Sequence, residues 1–101
     1  MKKTGFVYKI VIDGVVRYIG VSNNVIRRQK EHVRAFKKSN DKYLYRMMRE
    51  GSLDESYLIL ETISDELSII DARRLEAKII LDDYFSDKNL WQSAPFSFKY
   101  F

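Results

Sequence analysis

The chain has 101 residues, enough for one domain around one modest core, and its 46% apolar and 32% charged residues suit a folded globule rather than a disordered tail. It has no cysteine and one histidine, which excludes disulfide scaffolds, thiolate zinc sites and histidine-rich metal centres; any metal would rest on oxygen ligands, as magnesium, manganese or calcium do. The net charge of +4 is uneven: residues 1–50 carry 13 Lys and Arg against 4 Asp and Glu, residues 51–101 carry 5 against 10, and the basic half is either a footprint for phosphates or a set of solvated helix faces.

Met1-Lys2-Lys3 resembles the charged start of an export signal, but Lys9 and Asp13 interrupt the adjoining segment and no long apolar run exists, so neither an export signal nor a membrane span is expected. Phe6 to Ile12 and Val15 to Ile19 are rich in β-branched and aromatic residues, and Asp13-Gly14 between them predicts a tight hairpin. Strand alternation puts Phe6, Tyr8 and Ile10 on one face, and Val16 and Tyr18 together on a face of the second strand. Ser22, Asn23 and Asn24 offer caps for a helix over 24–37. A second helix is expected over 41–50, ended by Gly51, then a strand over 56–61. Ser64 is placed to cap a third helix over 65–81, and residues 96–100 alternate like a short closing strand. The order β-β-α-α-β-α predicts an α+β domain with a three-stranded antiparallel sheet and flanking helices, as one domain over residues 1–101.

Some polar residues break this pattern. At 100° per residue, Glu76 falls inside the apolar stripe of Ile69, Ala72, Leu75, Ile79 and Ile80, where a carboxylate is costly unless paired or bound to a cation. A salt bridge to Arg73 or to an arginine elsewhere is the ordinary explanation. On the first helix Arg28 and His32 stand one turn apart beside the apolar face of Val25, Val33 and Phe36, while Arg27, Lys30, Arg34 and Lys37 point away as solvated cations. Taken singly, Tyr8 and Tyr18 are ordinary strand aromatics, and a lone histidine is usually a satisfied half-buried one.

In combination these residues resemble the GIY-YIG nuclease family. The features are Phe6-Val7-Tyr8, nine residues, Tyr18-Ile19-Gly20, then Ser22, Arg28 eight residues after Gly20, His32 four later, and Glu76 on the third helix. The first tripeptide keeps only its tyrosine, and the polar residue that many members carry after the first helix has Asn40 and Asp41 as candidates here. The resemblance spans roughly residues 5–92 and implies a DNA endonuclease that hydrolyses phosphodiesters with one Mg2+ or Mn2+. It implies Glu76 as the metal ligand, Arg28 holding the scissile phosphate, and Tyr8 and Tyr18 positioning water, one of them taking its proton. His32 would relay a proton or bind a phosphate, and Gly20 would let the backbone approach the substrate. Ser22, Lys9, Arg27 and Asn89 (or Gln92 in its place) would complete the substrate contacts. Double-stranded DNA is the implied partner, with specificity from a homodimer or a partner protein, in the cytoplasm of a bacterial or phage-infected cell. The rival expectations are a catalytically inactive relative that binds nucleic acid or protein, and an interaction module built on the aromatic tail of Phe96, Phe98, Tyr100 and Phe101.

Overall fold

The computed structural model describes residues 3–86 and 88–92, so the expected strand at 96–100 and the aromatic tail lie outside it. The domain is α+β. Strands β1 (Thr4–Ile12) and β2 (Val15–Ser22) form an antiparallel hairpin, followed by α1 (Val25–Lys37), α2 (Tyr43–Glu50), β3 (Leu60–Thr62), β4 (Leu67–Ser68) and α3 (Ile69–Phe85). The hairpin turns on Asp13 and Gly14, at φ 53° and 79°, the left-handed values that a two-residue turn requires and that Asp and Gly tolerate.

β1 is central. β2 pairs along one edge, while β3 pairs with Tyr8 to Ile10 and β4 with Thr4 and Gly5. Helices cover both faces. Tyr8, Ile10, Ile12 and Tyr18 pack with Leu44, Tyr45 and Met48 of α2 and with Val33 and Phe36 of α1. Val7 and Ile19 pack on the other side against Ala72 and Ile80 of α3. This two-sided burial explains why β1 reads as an almost unbroken apolar run.

The register of the hairpin shifts between Ile10, opposite Tyr18, and Val11, opposite Val16. Arg17 is thus an extra residue, a β-bulge, and it turns Val16 toward the α3 side and Tyr18 toward the α1 side. The two do not share a face, contrary to simple alternation. The bulge is what sets Tyr18 on the same side as Tyr8.

The segment read as a strand over 56–61 begins instead with a 3-10 turn, Glu55–Tyr57, held by Asp54, whose carboxylate accepts from the backbone N–H of Ser56. The extended part is only Leu60–Thr62. Helix α3 starts four residues later than expected and runs four further. The Ser64 hydroxyl is taken by the backbone N–H of Val7 at 3.0 Å, and residues 67–68 are drawn into the sheet as a fourth strand. Ser68 supplies the cap, accepting from Asp71 N–H at 3.2 Å. Ser64 is a plausible cap by local sequence; a long-range partner outcompetes that role. No helix among the described residues is long and apolar enough to cross a membrane.

Candidate active site

The site forms where β1 and β2 meet the first turns of α1 and the middle of α3. Ser22 and Asn24 build the corner. The Ser22 hydroxyl accepts from Asn24 N–H at 3.0 Å and donates to Asn24 O at 2.9 Å, and the Asn24 side chain caps α1 by accepting from Arg27 N–H at 3.0 Å. That corner aims Arg28 and His32, one turn apart, over the tyrosines.

His32 is only 1% exposed and is bracketed by two phenols. Its Nε2 lies 2.9 Å from the Tyr8 hydroxyl and its Nδ1 lies 2.6 Å from the Tyr45 hydroxyl. Burial, together with the cations Arg28 and Lys42, pushes its pKa down to about 3, so the imidazole is neutral at physiological pH. With both nitrogens engaged and almost no exposed surface, His32 props Tyr8.

The tyrosine rings stand 6.3 Å apart. Burial raises the pKa of Tyr8 to about 12, with Tyr18 adding to the rise and Arg28 opposing it. Burial also raises Tyr18, again opposed by Arg28 and reinforced by the charge of Glu76. The Tyr18 hydroxyl accepts from Lys42 Nζ at 2.6 Å, and the ammonium also lies 4.7 Å from the Tyr18 ring centre. Burial and then Arg28 pull the Lys42 pKa down, with Glu76 opposing.

Arg28 is half-exposed and directs its hydrogen bond to Glu31 at 3.2 Å, one turn along α1. Burial works against its charge, yet Tyr8, Glu31 and Tyr18 hold its pKa above the ordinary arginine value. Arg28 and Glu76 both line an open cleft of about 1140 Å³ between α1 and α3. Glu76 has no hydrogen bond or ion pair within 4.0 Å among the described residues, so the salt bridge that would be the ordinary explanation is absent there. Burial raises its pKa, with Arg73 and Lys42 opposing from a distance.

Tyr8, Tyr18, Arg28, His32 and Glu76, spread over four elements of the chain, are therefore gathered into one site. Ser22, Asn23 and Arg27 line the same cleft, where the Arg27 guanidinium donates to the Asn23 side chain at 2.9 Å. The Ser22 hydroxyl makes both of its hydrogen bonds to Asn24 at the corner.

The structure bears on three further expectations. Lys9 lies on the sheet face opposite Tyr8 and pairs with Glu61 across the strands at 4.0 Å. Asn89 is exposed, and its backbone binds the side chains of Asp83 and Arg17. Gln92 brackets the backbone of Ile19, accepting at 2.7 Å and donating at 3.0 Å, and so braces β2 between Tyr18 and Gly20. Gly20 has a structural use of its own. A Cβ there would collide with the ring and hydroxyl of Tyr8, so glycine makes room for the tyrosine.

Sequence reasoning missed Lys42 and Tyr45. Tyr45 lies in the apolar face of α2 with Leu44 and Met48 and reads as core. Lys42 comes directly after Asn40 and Asp41, the residues weighed for a polar role in that loop. Asn40 supports the loop instead: its side chain accepts from Lys42 N–H at 2.9 Å, and its carbonyl accepts from Arg49 at 2.7 Å. Asp41 is exposed. No protein-family model, curated protein or solved structure matches the chain.

Proposed function

We propose that this chain is a GIY-YIG-type endonuclease that hydrolyses DNA phosphodiester bonds with a divalent cation. The observation that carries the reading is Glu76: a half-buried carboxylate on α3, without hydrogen bond or ion pair among the described residues, that lines one cleft together with Arg28. An uncompensated buried acid is costly, and its raised pKa records that cost.

The donor set fits a hard cation such as Mg2+ or Mn2+. No group of three His, Cys, Asp or Glu stands together among the described residues, so Glu76 would be the sole protein ligand, with water and phosphate oxygens as the others. A bound cation would supply charge stabilisation to the phosphate and the leaving oxygen.

The chain's own residues do the rest. The planar fork of Arg28 matches two phosphate oxygens, and a phosphate would exchange with Glu31 for it. Tyr8 and Tyr18 orient the attacking water through their hydroxyls. Burial raises the Tyr18 pKa, and the Lys42 ammonium, donating to the Tyr18 oxygen, opposes that rise, so Tyr18 is the better placed of the two phenols to handle a proton of that water. Tyr8 is held by neutral His32, which Tyr45 holds in turn. Gly20 and the Arg17 bulge keep the two phenols side by side.

The test is a magnesium-dependent nicking assay on plasmid DNA with Glu76→Ala as the control. The variant is expected to bind DNA as the wild type does and to leave it uncut. Cleavage at the wild-type rate by Glu76→Ala would remove the metal role.

A further inference from the structure

The cationic residues on the outer face of α1 look at first like a solvated surface. Arg27, Lys30, Arg34, Lys37 and Lys38, the last at the helix C-cap, are all exposed and fall within an arc of about 100° at 100° per residue. Over about 15 Å of helix rise they form one stripe. A solvated face normally interleaves acids at positions three and four apart, which stabilises the helix. Here one acid, Glu31, stands four after Arg27 and three before Arg34, and the other neighbours are like-charged pairs, Arg27 with Lys30, Lys30 with Arg34, and Arg34 with Lys37 and Lys38, each disfavouring the helix. Glu31, the acid of α1, is engaged by Arg28, and Lys37 reaches Glu55 on another element at 3.5 Å. Lys30, Arg34 and Lys38 have no acidic partner within 4.0 Å among the described residues.

The start of the helix repeats the anomaly. Its first turn has no acid, although the positive end of the helix dipole favours one, and Arg27 stands there instead. Arg27 also lines the cleft that holds Arg28 and Glu76. The stripe is therefore continuous with the candidate active site. A row of cations that costs the helix stability and leads out of an anion-handling cleft is the arrangement a polyanion compensates. Of the large apolar side chains of α1, Val25, Val33 and Phe36 are turned into the core and Ile26, in the first turn, is exposed beside the stripe; one exposed residue falls short of the continuous apolar rim of a helix that lies on a membrane.

We infer that the outer face of α1 is a track for the nucleic-acid phosphate backbone flanking the phosphate in the cleft. The inference rests on the nuclease reading for its direction, but not for its measurement. At one phosphate per about 3.4 Å of duplex axis on each strand, 15 Å of helix spans about four phosphates of one strand. The contacts are to the backbone, so the track sets the register of the substrate and reads no sequence.

The test uses the full chain with Lys30→Gln/Arg34→Gln and with Lys30→Glu/Arg34→Glu. Binding of a 20-base-pair duplex is monitored by fluorescence anisotropy over a salt series without divalent metal. For the Gln pair, loss of two phosphate contacts should flatten the plot of log affinity against log salt by about 1.8 in slope. The Glu pair should bind more weakly still. Melting temperature should hold or rise in the Gln pair, since repulsion within α1 is relieved. An unchanged slope with folded protein overturns the track. So does retained duplex affinity in the Glu pair, or binding to anionic phospholipid vesicles in place of DNA. A flattened slope in a protein that never cuts DNA would keep the track and remove the nuclease; cutting with an unchanged slope would do the reverse.

Discussion

Lowering the pH should destabilise this protein through a single imidazole. His32 is buried, neutral and hydrogen-bonded on both nitrogens, with a pKa held at about 3 against an ordinary 6.5. The sign depends on which state binds the proton first. Below about pH 6.5 the unfolded chain takes up the proton and the folded chain does not, so stability is full above that value and falls as pH drops toward 3. Two-state linkage with these values gives a loss of about 2 kcal/mol at pH 5 and about 3 kcal/mol at pH 4, large against the roughly 5–15 kcal/mol of a typical domain. Urea denaturation at pH 7.5, 6, 5 and 4 measures it. Burial raises the pKa of Glu76, which works in the opposite sense, so the series is best repeated in Glu76→Gln to isolate the imidazole. Because His32 is the one histidine of the chain, its imidazole signals in a proton–nitrogen NMR spectrum need no assignment. They should show no titration between pH 8 and 5 in the folded protein. An imidazole that titrates near 6.5 in the folded state would refute the reasoning.

Two further predictions concern the phenols. Gly20→Ala forces the added methyl against Tyr8 and should cost about 1–3 kcal/mol, the usual penalty of overpacking, with a fall in cleavage because the Tyr8–His32 bond is displaced; a urea melt coinciding with wild type would show that Tyr8 has room to move. Lys42→Met removes the donor to Tyr18 and should cut cleavage at neutral pH by tenfold or more, about 1.4 kcal/mol in the barrier, while Lys42→Arg retains part of it. Equal rates for the wild type and the Met variant would take Lys42 out of the site.

Much of the framework is legible residue by residue. Asp13-Gly14 commits the chain to a hairpin, because positive φ at two successive positions is a property of those residues themselves. The capping of α1 from within Ser22, Asn23 and Asn24, of which Asn24 serves, and Gly51 as the end of α2 are equally local, decided by hydrogen bonds within three or four residues. The spacing that places Arg28 and His32 on one side of α1, and Glu76 among apolar neighbours on α3, is a matter of helix period.

Tertiary structure decided the choices among competing partners. Ser64 satisfies Val7, fifty-seven positions away, in preference to capping a helix, and that contact shortens one end of α3 and brings a fourth strand into the sheet. The bulge at Arg17 reverses the faces of Val16 and Tyr18, which no two-residue period contains. Lys42 and Tyr45 carry no local mark of function; they acquire it because the α1–α2 loop folds back over β2 and α2 packs against His32. Lys9 and Asn89 bear side chains suited to a site, yet lie elsewhere, one on the wrong face of β1 and the other beyond α3. Turns, caps and helical faces depend on neighbours along the chain, so the sequence alone determines them. The pairing of a buried hydroxyl, imidazole or ammonium depends on which groups the packed core leaves within about 3 Å, and only the assembled fold decides that.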